Sequence, residues 1–213
     1  MTFIPDLTTL LGYTAASLVL FLTPGPDMSL FLSRTIASGR LAGIVTNIGT
    51  NLGCVVHTLL AAFGVSALIA ASHAGFLALK IVGAGYLLWL AFNALRKGSS
   101  LTLAAGAQKQ ASLLNCFLLG LTVNLTNPKV VLFFITFLPQ FVSASDPHVT
   151  GKLLFLGLWF VALSIPPTLL MIWGAHKLVG WLKLRPRIMR AIDATFAGVF
   201  AFFALRIALT QGR

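Results

Sequence analysis

The sequence predicts an all-α polytopic membrane protein with six transmembrane helices, arranged as two inverted three-helix repeats. Three observations lead there. Of the 213 residues, 58% are hydrophobic and only 9% charged, whereas a soluble domain carries about 25% charged residues. The apolar residues gather into six long runs. Two of those runs, the first and the fourth, are interrupted by proline at corresponding places.

A helix needs roughly 20 apolar residues to cross about 30 Å of hydrocarbon, so six spans would use roughly 120 residues. The remainder suffices for loops and helix ends and leaves no room for a large water-soluble domain. The runs are too long, and alternate too little, for barrel strands. In lipid the backbone must satisfy its own hydrogen bonds, which leaves helices.

The first run covers about Leu7 to Ser33 and is broken at Thr23-Pro24-Gly25-Pro26-Asp27. The second, about Leu41 to Ala71, holds no Lys, Arg, Asp or Glu and is long enough to tilt. The third covers about Phe76 to Leu95. The fourth, about Leu113 to Val142, is broken at Asn127-Pro128-Lys129. The fifth runs from about Leu153 to Lys177, with Pro166-Pro167 inside it as an expected kink and candidate hinge. The sixth runs from about Ala191 to Thr210. The start, MTFIPDL, has no basic residue before its apolar run and no A-x-A-like site, so the first run is expected to remain a span.

Loop charge orients the chain. Six spans place Arg34, Arg40, Arg96, Lys97, Lys109, Lys177, Lys183, Arg185, Arg187 and Arg190 on one side, and Lys80, Lys152, Arg206 and Arg213 on the other. Ten against four makes the first side cytoplasmic and puts both termini outside. The same rule accounts for the net charge of +11. The basic residues are dispersed between apolar runs and form no patch for nucleic acid.

The longest polar connection, Arg96 to Gln110, divides the chain into repeat one (1–96), a linker (97–110) and repeat two (111–213). Each half opens with a broken helix, at an offset of about 103 residues. Three spans per half make the second half enter from the opposite side, as in many secondary transporters.

The breaks hold the candidate substrate and coupling residues. Pro24 and Pro26 each remove a backbone donor, and Gly25 adds freedom between them. The helix must open there and free carbonyls near Leu20 to Leu22. Asp27 follows directly, and a carboxylate at membrane depth is a functional candidate by default. It could bind a substrate ammonium or carry a proton; its structural alternative is to cap the second half of the helix. Asn127 and Pro128 break the fourth run in the same manner, and Lys129 puts a cation there. Lys129 could meet a substrate carboxylate, pair with Asp27, or snorkel to the interface. An anion from one half and a cation from the other is what a zwitterion requires.

In the second run Asn47, Asn51, Cys54 and Thr58 recur at helical spacing, flanked by Thr46, Thr50 and His57. Gly43, Gly49, Gly53 and Gly64 permit close helix approach. Asn47 and Asn51 are the candidate cavity lining; interhelical hydrogen bonding is the plainer reading of this stripe. Cys54 and His57 supply two candidate metal ligands where three or four are usual, so no metal site is expected. Cys54 and Cys116 both lie in apolar runs and read as buried free thiols. Asp193 is expected at the start of the sixth span beside Arg187 and Arg190 in a structural role, and Arg206 is expected to snorkel. Glu is absent, as are His-Glu zinc and Gly-x-Ser-x-Gly motifs, which argues against an enzyme.

The chain resembles the LysE/RhtB family of bacterial amino-acid exporters over essentially its whole length. The strongest marks are Thr23-Pro24-Gly25-Pro26-Asp27, Asn127-Pro128-Lys129 and Leu138-Pro139-Gln140-Phe141. Gly83-Ala84-Gly85-Tyr86-Leu87 and the glycine-poor basic loop before the sixth span support them. The resemblance implies efflux of amino acids or related small zwitterions across the bacterial inner membrane, driven by the proton motive force. The expected partners are the amino-acid substrate, membrane lipid and protons, with no cofactor and no nucleic acid; a homo-oligomer stays open. The residues alone also leave open a passive channel or ion exporter on the same scaffold, and no residue selects a substrate side chain.

Overall fold

The computed structural model describes residues 3–97, 111–143 and 145–210. Residues 98–110 of the expected 97–110 linker and the side chain of Arg206 fall outside what is described. The described residues are nearly all helical and include no strand.

The first run forms two helices, α1 (Leu7–Leu22) and α2 (Pro26–Ser38), bent by 52° at the break. Asp6 caps α1 by accepting the Thr9 N–H. Pro26 occupies the first turn of α2, where its missing N–H costs nothing. Gly39 turns the chain into α3 (Arg40–Ala71) with φ 89°, a conformation glycine adopts without strain. At 32 residues α3 spans about 48 Å, more than the hydrocarbon requires. After it comes α4 (His73–Lys97).

The fourth run repeats the break. Here α5 (Leu113–Thr126) and α6 (Pro128–Leu132) are followed by a π-helical turn over Phe133–Phe137 and a 3-10 turn over Leu138–Phe141. The bend is again 52°. Next come α7 (Val149–Trp173), α8 (Ala175–Lys183) and α9 (Pro186–Thr210). Helix α7 continues through Pro166 and Pro167, and it ends at Gly174, earlier than the apolar pattern suggests. Helix α9 starts at Pro186, before the expected Ala191, and takes Arg187 and Arg190 into its first turns. Basic residues mark where a chain leaves lipid, which need not be where its helix begins.

Among the described residues, four helices are long and apolar enough to cross a membrane, and counting each bent pair as one span brings the number to six. Their outer faces carry large apolar side chains such as Leu60, Phe63, Leu170 and Phe202, each more than half exposed. A continuous apolar exterior of this kind suits lipid.

Helix α3 is central, packing against α2, α5 and α7. The approach to α5 is close because the facing residues are small. A Cβ on Gly49 would lie 2.2 Å from the Phe117 carbonyl oxygen, and one on Gly120 would lie 2.2 Å from that of Thr46. Gly53 is likewise crowded by Asn124 of α5 and Gly43 by Thr35 of α2, whereas Gly64 faces open space and plays no such part. An aromatic core surrounds the π turn: Phe133, Phe134 and Phe137 meet Tyr13, Phe160, Phe200 and Phe203.

Candidate substrate site between the two helix breaks

Both breaks arise from missing proline donors, and at each break the carbonyl four residues before the first proline receives a side chain from elsewhere. In a continuous helix the N–H at position 24 would bond the Leu20 carbonyl, four residues back. Pro24 has none. The Lys129 ammonium takes that carbonyl at 3.0 Å and the Thr23 carbonyl at 2.8 Å. In the second break Pro128 would have bonded the Asn124 carbonyl. That oxygen accepts from His57 Nε2 of α3 at 3.3 Å and from the Asn127 N–H at 3.1 Å.

The opposite exchange places Asp27. Its Oδ2 accepts from Asn124 Nδ2 at 2.6 Å and its Oδ1 from Asn127 Nδ2 at 3.0 Å. Asp27 lies in the first turn of α2, but Gly25 is the cap residue and no side chain caps that helix. The Asp27 carboxylate is thus directed across to the second break. Asn127 is itself the cap of α6, accepting the Lys129 N–H on its own side-chain oxygen at 3.1 Å. Lys129 does not reach Asp27 as a direct ion pair. Its ammonium bonds α1 carbonyls, passes beside Gly25 and faces the Phe196 ring at 5.4 Å.

These groups border a cavity of about 80 Å³. A water needs about 10–15 Å³ by this measure, so the space suits several waters or the head of a small solute. Asp27, Lys129, Gly25, Asn127, Asn47 and Asn51 all line it; Pro24, Pro26 and Pro128 shape the breaks without lining it. Asn47 Nδ2 donates to Thr168 Oγ1 at 3.2 Å, and Asn51 Oδ1 accepts from Ser164 Oγ at 3.0 Å, which ties α3 to α7 across one wall. The apolar part of the lining comes from Leu20, Phe21, Phe31 and Phe160. Phe160 also packs on Phe133 and Phe134, so the aromatic core adjoins the cavity.

Sequence reasoning passed over three residues here. Asn124 is not among the expected site residues, yet it touches Asp27, Cys54 and His57. His57 reads in the sequence only as a flank of the α3 stripe. Both were legible from one signal: Asn124 stands four residues before a proline, so its carbonyl needs an outside donor. The third is Asp193, which α9 carries two turns beyond its start and buries to 3% exposure. It does not sit at a helix mouth. Cys54 and His57 gain no further ligand: among the described residues, no three His, Cys, Asp or Glu side chains gather to hold a metal.

Comparisons with known proteins agree with the architecture. A family model described as LysE type translocator matches residues 18–211. The leucine efflux protein of Klebsiella pneumoniae subsp. pneumoniae is 31% identical over 209 residues, covering 94% of this chain and 95% of that protein. The homoserine/homoserine lactone efflux protein of Salmonella typhimurium is 29% identical over 189 residues, covering 89% and 90%. The membrane protein YahN of Escherichia coli (strain K12) is 29% identical over 196 residues, covering 89% and 84%. No solved structure matches.

Proposed function

The chain belongs to the LysE type translocator family, and on that premise we propose that it exports amino acids or related small zwitterions across the bacterial inner membrane, coupled to protons. The observation that carries this reading is the placement of an Asp27 carboxylate and a Lys129 ammonium on one cavity. A zwitterion offers the complementary pair. Its ammonium would meet Asp27, and its carboxylate would meet Lys129 or the N–H groups at the start of α2. Asn47 and Asn51 would orient it, and the apolar wall would receive an uncharged side chain.

A carboxylate at this depth is also suited to alternate between a proton and a substrate ammonium, which would couple outward movement to inward proton flow. The equal 52° bends and the reciprocal bonds between the breaks support reading the chain as two inverted repeats, 1–96 and 111–213 around a linker at 97–110. Arg40 over Trp173 and Arg185 over Trp181, at 4.9 and 5.0 Å, suit an interface on the basic side. That side would be cytoplasmic and both termini outside, so a C-terminal alkaline phosphatase fusion should be active.

Cells loaded with dipeptides test the assignment. With the protein present, the amino acids it carries should appear outside faster, and a protonophore should abolish the difference. Efflux that follows the solute gradient and ignores the protonophore would replace the coupled exporter with a passive channel.

A further inference from the structure

Helix α8 follows α7 at the basic end of the molecule and has two distinct faces. Ala175, Val179 and Leu182 are buried, at the spacing of a single helix face. Ala175 and Val179 join Ile172 of α7 in packing on Met28, Phe31 and Leu32 of α2. The other face is exposed and carries Lys177 and Trp181, one turn apart. Arg185 comes one turn later, and its guanidinium lies 5.0 Å from the centre of the Trp181 ring. The result is a stripe of cation, indole and cation. Just before α8, Arg40 stacks in the same way on Trp173 at 4.9 Å, and that indole is also exposed.

No aspartate or glutamate balances this surface. The chain has four aspartates and no glutamate. Asp6 and Asp146 lie at the opposite end, where α1 and α7 begin and Phe3 meets Gly151. Asp27 borders the cavity and Asp193 is buried.

We infer that the exposed face of α8 is a headgroup site for an anionic phospholipid. Indoles settle where headgroups meet acyl chains, and cations at that level attract lipid phosphate. A phosphodiester set over Trp181 would lie between Lys177 and Arg185, with its glycerol against the ring. A zwitterionic lipid brings its own ammonium and gains little there. The site also adjoins the cavity: Met28 and Phe31, which pack beneath α8, line the cavity on their other side. A lipid that holds α8 therefore steadies the α2 wall.

The test titrates lipid into the purified full-length protein in neutral detergent and reads thermal unfolding. Phosphatidylglycerol should raise the unfolding temperature, while phosphatidylcholine and soluble glycerol phosphate should not. The double variant Lys177→Gln/Arg185→Gln leaves the buried face of α8 intact. A cation near an anionic surface contributes about fivefold in affinity, so the double variant should need about 25-fold more phosphatidylglycerol for the same rise. Lys152→Gln, which removes a cation at the opposite end, should titrate as wild type does. A double variant that titrates like wild type would overturn the proposal. So would loss of the response in Lys152→Gln, no rise in the wild-type protein, or an equal rise with phosphatidylcholine or glycerol phosphate. Should the double variant fail to fold, Lys177→Gln alone decides the matter, with a shift of about fivefold expected and an unshifted titration overturning the site.

Discussion

The Lys129 ammonium donates to the Leu20 carbonyl at 3.0 Å, in the place of the N–H that Pro24 lacks. The cation at one break thus completes the broken helix at the other. The return bond, from Asn127 to Asp27 at 3.0 Å, makes the arrangement reciprocal. The two breaks are braced by each other, and a group entering the cavity meets both.

Replacing Lys129 with Met should therefore destabilise the fold as well as disable the site. Hydrogen bonds to a charged group contribute about 1.5–3 kcal/mol each, partly offset here by the easier burial of Met, so a net loss of about 2 kcal/mol is expected. Thermal unfolding in detergent measures it. His57→Leu should act in the same direction, more weakly, at the second break by removing one of the two donors to the Asn124 carbonyl, and unchanged unfolding in both variants would contradict the bracing.

Asp27→Asn preserves shape and removes charge. Export should fall by at least about tenfold, the scale of losing the interactions of one charged group. The amount of protein in the membrane, read by a fluorescent tag, should stay at the wild-type level. Asn124→Ala removes one of two amide donors to Asp27 and should have a smaller effect. Wild-type efflux by Asp27→Asn would remove Asp27 from the transport site.

Gly120→Ala should disrupt the contact between α3 and α5, because its methyl would lie 2.2 Å from the Thr46 carbonyl oxygen. Overpacking of this kind costs about 1–3 kcal/mol. Gly64→Ala, where nothing lies within 4 Å, should leave stability unchanged. Comparing the two unfolding temperatures checks whether close approach, and not glycine content, is the requirement.

Asp146 lies in the loop before α7, outside the spans. Its hydrogen bond from Lys152, with a further one from the His148 N–H, holds its carboxyl below the ordinary carboxylate range. A depressed carboxyl stabilises the fold above its unfolded value of about 3.9, and that contribution disappears as pH falls through the lower folded value. Asp146→Asn should therefore be slightly less stable than wild type near pH 7, with the gap closing in strong acid. An equal gap in unfolding temperature at about pH 7 and about pH 3 would contradict this.

Much of the architecture was legible from residue order. Pro24, Pro26 and Pro128 lack N–H donors wherever they stand, so the breaks and the open carbonyl at Leu20 followed without coordinates. The limits of α9 did not follow, because Arg187 and Arg190 read as loop while their backbone is helical. The place of Asp193 did not follow for the same reason: a helix start five residues earlier turns a residue expected at the start of the span into one two turns inside the helix.

The sequence by itself determined the solvent, the apolar runs and the positions of the breaks, because hydropathy and missing donors are properties of single residues and their near neighbours. Only the tertiary structure decided the pairings: Lys129 with Leu20 and Thr23, Asn124 and Asn127 with Asp27, His57 with Asn124. These partners lie 67 to 109 residues apart. They meet because small residues let α3 and α5 approach closely, and because each break presents polar groups that lipid cannot satisfy.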